Sequence, residues 1–252
     1  MEGWPEVLDT LRERGLDLSA YKEPQLERRL LSFIQREGFM SLEPFLDAVK
    51  DNRDLFRRLY SYLTIHVTEF FRDPPYWEAF RAAMAARPPG LISIWSAGCS
   101  WGAEPVTAAV ILEELGRSFE VLATDSDEMV LDEARGGRFA AVDVDKVPAR
   151  YRHYFHPEGP DHLRLVLQRG RITYLRHDLV VEPPPGRFDV VICRNLIIYF
   201  RPLVRQKVLE RLAGAVKPTG LLFLGATETF LEYAQLGFVA ASPALFYKER
   251  DP

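Results

Sequence analysis

Cysteine is nearly missing from this chain: Cys99 and Cys193 are the only two in 252 residues. That excludes a disulfide framework and a Cys-based zinc site, and fits a reducing cytosol. Long apolar runs are missing too, so no membrane insertion is expected. The start, with Glu2 and Glu6, does not look like a signal peptide. There is no basic excess, and the net charge of −4 argues against nucleic acid as the main partner. The five histidines are scattered, and no metal cluster is evident. Internal repeats and low-complexity tracts are absent. What is present is 47% hydrophobic residues, enough for a full core, in a chain sized for one large domain or a domain plus an appendage.

The most informative stretch is Leu91 to Pro105, LISIWSAGCSWGAEP. Leu91, Ile92, Ile94 and Trp95 suit a strand buried on both faces, as in a parallel sheet. Ser96 to Gly102 is a small, glycine-bearing loop that lets a backbone turn and a ligand approach closely. Ala103 to Leu115 follows as a helix with Pro105 in its first turn. Phe119 to Ala123 is a second buried strand ending in Thr124-Asp125. Asp125 lies 27 positions beyond Gly98, near the spacing of a nucleotide-binding crossover, where an acid can accept bonds from ribose hydroxyls. The loop is not G-x-G-x-x-G and no P-loop is present, which disfavours a dinucleotide and excludes a P-loop nucleotide site. S-adenosylmethionine, with an adenosine but no phosphate, is then the main remaining cofactor. On the loop alone, ordinary turn glycines at Gly98 and Gly102 account for the pattern equally well.

Residues 1 to about 73 show only helical patterns, beginning at Trp4, Pro24, Ser41 and Leu55, and predict a small helical bundle. In the second helix Leu26, Leu30, Phe33 and Ile34 form an apolar stripe. Lys22, Arg29 and Arg36 make a row beside it, with Arg28 adding charge. A solvated rim paired with Glu23 or Glu27 explains this row; a docking face for an acidic helix is the alternative. A linking helix covers 75–86, and the domain boundary falls between about 70 and 90. Beyond Asp125 come a helix over 127–136, a helix-like stretch over Val147 to Phe155, and an expected hairpin formed by 163–167 and 172–175. Phe188 to Cys193 is a third core strand, Pro202 to Ala215 a helix, and Gly220 to Leu224 a further core strand. Phe238 to Ala240 and Leu245 to Lys248 could close the sheet as an antiparallel pair.

Several separated motifs, in order, resemble those of one family. They are T-E-F-F-R-D at Thr68 to Asp73, W-S-A-G-C-S-x-G-x-E-P at Trp95 to Pro105, and A-T-D at Ala123 to Asp125. F-D-V-V-I-C-R-N-x-x-I-Y-F at Phe188 to Phe200 and L-F-L-G-x-x-E at Leu222 to Glu228 complete the set. The chain resembles the chemotaxis receptor glutamate methyltransferases, the CheR family, over nearly its whole length. The resemblance implies an α/β, Rossmann-like S-adenosylmethionine-dependent methyltransferase fold. It also implies an inserted small antiparallel β-subdomain and a preceding all-α N-terminal domain. The expected division is 1–75 helical and receptor-docking, 76–252 methyltransferase, with the β-subdomain at about 155–178. The implied activity is methyl transfer to glutamates on the cytoplasmic helices of chemoreceptors, with S-adenosylhomocysteine as product. A cytoplasmic, monomeric enzyme that needs no metal is expected.

Position by position, the resemblance implies cofactor contacts at His66, Thr68, Arg72, Gly98, Glu104, Asp125, Asp178, Leu179, Cys193, Arg194 and Asn195. Glu104 would face the methionine end and Asp125 the ribose. Arg72 and Tyr199 match the catalytic pair near the transferred methyl. Lys22, Arg28, Arg29 and Arg36 match the receptor-docking surface, which favours docking over a solvated rim. There are departures. Ala103 replaces the first Glu of a usual Glu-Glu pair, and His66 stands where some members have Asn. The loop His156 to Pro160 lacks a glycine insertion resembling a tether-peptide signature, which argues against a bound receptor tail. From the residues themselves, an ion pair is the plain reading of Arg194, strand packing that of Cys193, and a buried tyrosine tied to backbone that of Tyr199. Two rival functions remain: a methyltransferase on another carboxylate acceptor, and a non-catalytic cofactor-binding regulatory scaffold.

Overall fold

A computed structural model of the chain describes residues 3–64, 66–228, 230–231 and 233–249; Glu2 lies outside them. The chain divides into two compact units, Met1–His66 with Tyr199–Val204, and Val67–Ile198 with Arg205–Pro252. The division falls ahead of the expected boundary at 75–76.

The first unit holds α1 (Trp4–Glu13), α2 (Glu23–Arg36), α3 (Leu42–Asp51) and α4 (Arg53–Leu63). Each is amphipathic, and their apolar stripes meet in a core that includes Val7, Leu11, Leu30, Phe33, Phe45, Val49 and Leu59. The start of α4 is set by Asn52, whose side chain accepts the N–H groups of Asp54 and Leu55, as an N-cap should. A late segment of the chain joins this unit. Lys22 N–H donates to the Tyr199 carbonyl at 2.9 Å, Arg201 N–H to that of Ala20 at 2.8 Å, and the rings of Tyr21 and Phe200 lie 5.1 Å apart.

The second unit is built on a seven-stranded sheet. It opens with α5 (Pro74–Ala86), β1 (Ile92–Ala97), α6 (Ala103–Glu114), β2 (Phe119–Asp125) and α7 (Glu128–Arg135). Next come β3 (Arg138–Ala140), α8 (Ala141–Val144), β4 (Phe155–Pro157), β5 (His162–Leu165), β6 (Gly170–Arg176) and β7 (Phe188–Cys193). It closes with α9 (Pro202–Ala215, whose first turn lies in the first unit), β8 (Val216–Leu224), β9 (Phe238–Ala240) and β10 (Leu245–Lys248). The strand order is β6-β2-β1-β7-β8-β10-β9. The pairs from β6 to β8 are parallel, and β10 and β9 add antiparallel pairs, as their sequence suggested. The chain order reverses between β1 and β7, and the carboxyl ends of strands at such a point are where α/β sheets bind ligands. Residues Ala103 to Glu113 of α6 are all buried, which accounts for the near-continuous apolar sequence of that helix. Helix α5 buries Trp77, Phe80 and Met84 in the core of this unit, which is why it separates from the helical bundle.

One sequence expectation is corrected. The stretches 163–167 and 172–175 do not form a hairpin. The small antiparallel sheet has the order β3-β5-β4 and draws on residues from 138 to 165. Strand β6 instead runs parallel to β2 as the edge of the main sheet, so it lies outside the small sheet that was expected to span 155–178. An edge strand alternates in burial just as a hairpin strand does, and the pattern alone could not separate them. The deciding contact is Glu113, buried on α6, whose Oε1 accepts the N–H groups of Gln168 at 2.7 Å and Arg169 at 2.6 Å. This fixes the turn that leaves the small sheet and enters the main one. Glu113→Ala would strand both N–H groups, and should lower stability by about 2–3 kcal/mol in urea unfolding; an unchanged midpoint would show that the clamp does not hold β6.

Candidate functional site

The carboxyl end of β1 turns through a loop with three residues in left-handed backbone: Gly98 at φ 77°, Ser100 at 52° and Gly102 at 96°. Only glycine adopts this region freely. A Cβ on Gly98 would also stand 2.5 Å from Leu196 Cδ2, so this loop passes close to the one after β7. The N–H groups of Gly98 and Cys99 donate to the Thr124 carbonyl at 2.8 and 2.9 Å, tying the loop to the end of β2.

Asp125 ends β2 and is buried. Its Oδ2 accepts the Ser100 N–H at 2.9 Å and its Oδ1 that of Asp127 at 3.0 Å. These bonds fix a carboxylate beside the glycine loop. His177 N–H donates to the Asp125 carbonyl at 2.9 Å, bringing Asp178 and Leu179 alongside. Asp178 Oδ1 accepts the Val180 N–H at 2.8 Å, and the buried Leu179 gives its carbonyl to Arg211 at 3.1 Å.

Glu104, in the first turn of α6, is buried and accepts one hydroxyl, Ser96 Oγ, at 2.9 Å. Burial pushes its carboxyl up to about 7; the Arg194 charge, the Ser96 bond and Arg72 pull the other way, and Glu228 adds to the rise.

Arg194 confirms the ion-pair reading of its side chain. One guanidinium nitrogen donates to the Arg72 carbonyl at 2.9 Å and to Asp73 Oδ2 at 3.0 Å. The group lies 5.2 Å over Trp77 and 4.9 Å over Phe223, with the side chain 3% exposed. The segment it holds is strained, with Phe71 at φ 54° and Asp73 at φ 58°. Thr107 Oγ1 accepts the Phe71 N–H at 3.2 Å. The two phenylalanines are core: Phe70 packs edge-on against Trp101, and Phe71 stacks on Tyr151. Half-buried Arg72 donates to the Val67 carbonyl at 3.0 Å, and Thr68 borders a cavity of about 220 Å³ with Trp101, Arg138 and Phe139.

Asn195 sits at φ 58°. Cys193 is fully buried in β7, and burial raises both thiols well above their ordinary range, so neither is a thiolate nucleophile. Thr68, Arg72, Gly98, Glu104, Asp125, Asp178, Leu179, Cys193, Arg194 and Asn195 thus share the second unit. His66 and Tyr199 belong to the first, where the His66 ring is 2.7 Å from Thr64 Oγ1. The basic row on α2 is mixed. Lys22, Arg28 and Arg36 are exposed, whereas half-buried Arg29 donates to the Tyr62 carbonyl and stacks 4.9 Å over its ring. Sequence reasoning missed Glu228, a buried acid just past β8 that receives four backbone N–H groups. The available signal was an acid three residues beyond a strand-tip glycine.

A family model described as the CheR methyltransferase, SAM binding domain, matches residues 66–242, and one described as its all-alpha domain matches residues 10–64. The chain belongs to the CheR methyltransferase family. It is 32% identical to a chemotaxis protein methyltransferase of Listeria monocytogenes, covering 94% of this chain and 93% of the relative. It is 30% identical to that of Escherichia coli, covering 86% and 80%. It is 28% identical to chemotaxis protein methyltransferase 1 of Pseudomonas aeruginosa, covering 94% and 93%. As a CheR-family enzyme the protein is an S-adenosylmethionine-dependent methyltransferase of chemotaxis adaptation.

In this CheR-family chain the raised Glu104 carboxyl has a thermodynamic consequence. The folded state holds a proton there that the unfolded state has released, so stability falls as pH rises from the ordinary 4.5 towards about 7. Glu104→Gln should flatten that part of the stability–pH curve. Equal slopes for both proteins in denaturant titrations across this window would show that Glu104 ionises normally.

Proposed function

We propose that this enzyme methylates glutamate side chains on the cytoplasmic helices of chemoreceptors, forming methyl esters and releasing S-adenosylhomocysteine. The observation that carries the reading is the buried pair Glu104 and Asp125 flanking a glycine loop at the carboxyl edge of the sheet. The donor set fits the cofactor. Gly98 supplies the left-handed turn of the loop beside them, Asp125 is an acceptor suited to ribose hydroxyls, and Glu104 is an acid that a cation would ionise. Thr68, Asp178, Leu179 and the main chain at Cys193 and Asn195 complete the binding set. Bound there, S-adenosylmethionine supplies a sulfonium methyl.

The acceptor glutamate is already ionised at neutral pH, with an ordinary pKa near about 4.3, so the chain needs no general base. Its residues must exclude water and align the acceptor, tasks worth on the order of 7–11 kcal/mol in favourable systems. Arg72 and Tyr199 orient the acceptor carboxylate. Full neutralisation by Arg72 would favour the ground state over the charge-dispersed transition state. Lys22, Arg28 and Arg36 meet the acidic receptor helix, a role that goes with a cytoplasmic enzyme. Because Arg29 is anchored on Tyr62, it contributes to the bundle as well as to docking.

Tritiated methyl transfer to receptor-enriched membranes tests the reaction. Base-labile release of methanol is expected. A base-stable label, or no label, overturns the ester; label on a small carboxylate alone points to another acceptor. Kinetics sort the side chains. Charge reversal at Lys22, Arg28 and Arg36 should raise the receptor KM about tenfold or more with the cofactor Kd unchanged, whereas Arg72→Ala should mainly lower kcat. Unaltered constants in either variant would remove that residue from its role.

A further inference from the structure

Glu228 has no role in the function proposed above, yet it receives four backbone N–H groups in the second unit. Its Oε2 accepts the N–H groups of Asn195 at 2.8 Å and Gly225 at 2.7 Å. Its Oε1 accepts those of Leu196 and Ile197, both at 2.8 Å. The residue is 2% exposed. Four N–H donors account for the acceptor sites of an ionised carboxylate, and they form a closed anion-binding nest whose anion is the protein's own side chain.

The nest shapes the chain after β7. Asn195 is left-handed at φ 58°, a conformation that costs a non-glycine residue on the order of 1 kcal/mol or more, and its N–H points at Glu228. Gly225 is needed for the same reason: a Cβ there would stand 2.8 Å from Glu228 Oε2 and 2.9 Å from Asn195 N. The held loop does two things. Leu196 lies against Gly98, which sets the spacing between the two loops at the carboxyl edge. Arg194, directly before the loop, reaches the Arg72 carbonyl and Asp73.

We infer that Glu228 is a positioning residue for methyl transfer, holding Asn195 to Ile197 in the shape that receives the cofactor and keeps Arg194 on the Arg72 segment. This rests on the function proposed above. The same carboxylate therefore fixes one wall of the site and, through Arg194, the backbone of Arg72.

Glu228→Gln is the direct test, because the amide nitrogen faces N–H donors and forfeits half of the bonds. Gly225→Ala is the second variant; it keeps the carboxylate but presses on the same nest. At a temperature where the variants are fully folded, each should weaken S-adenosylhomocysteine binding in calorimetry by about tenfold. Each should also raise the KM for the cofactor, with the receptor KM within about twofold of wild type. A merely structural role would lower the unfolding temperature and leave these constants unmoved in folded protein, and that outcome overturns the inference. Should neither variant fold, hydrogen exchange on the cofactor-free wild type decides. Amides of 195–197 and 225 as slow as those of β7 support the nest, and exchange as fast as an open loop refutes it. A wild type that binds no S-adenosylhomocysteine fails the functional reading instead, because the exchange pattern still reports on the nest.

Discussion

Charge buried beneath the carboxyl edge of the sheet is the constraint that organises the second unit. Glu104, Asp125, Arg194 and Glu228 are each 9% exposed or less, and a buried charge without partners is too costly to persist. The chain meets that cost in three ways. Asp125 and Glu228 accept backbone N–H groups, so they shape loops. Arg194 is held by a carbonyl, a carboxylate and two aromatic faces. Glu104 has one hydroxyl, and it is the acid whose proton affinity rises to about 7. Solvation is thus least complete at the carboxylate assigned to the cationic end of the cofactor, where a sulfonium or ammonium would supply the missing partner.

The same groups hold strained backbone in place. Phe71, Asp73, Ser100 and Asn195 all have positive φ, and three segments far apart in sequence carry them. Each is bound to a buried polar group: Phe71 to Thr107, Asp73 to Arg194, Ser100 to Asp125, and Asn195 to Glu228. Strain of this kind persists only where the surroundings over-determine it. Here it follows the motif residues, so the motifs encode loop shapes as much as contacting side chains.

That division explains what could be read from the amino acids. The unit β1, glycine loop, α6, β2 and Asp125 is continuous in the chain, and its buried runs, glycines and terminal acid each carry a local signal. The bundle helices likewise announced themselves by spacing. What escaped was non-local. Strand β6 looked like half of a hairpin because its placement depends on Glu113, more than fifty residues upstream. The nest around Glu228 depends on N–H groups some thirty residues before it. The incorporation of 199–204 into the helical unit depends on Ala20 and Lys22, and Tyr199 followed a strand motif with nothing local to show it. The plain ion-pair reading of Arg194 was right, but nothing local showed that the partner is Asp73 or that a carbonyl and two aromatic faces share the guanidinium.

A reaction with no proton to move makes a particular demand on such a scaffold. Where a general base is needed, a single side chain of tuned basicity can carry much of the rate. When an ionised carboxylate displaces a neutral thioether, no such group exists, and the rate must come from alignment and from a fixed electrostatic environment. Loops held by backbone-satisfied carboxylates suit that demand, because their shape does not depend on solvent or on flexible cation partners. It also accounts for Arg72 being fastened through its main chain by Arg194 while its own guanidinium bonds a nearby carbonyl. A cation meant to orient an acceptor without trapping it is better held by its backbone than paired with a buried carboxylate.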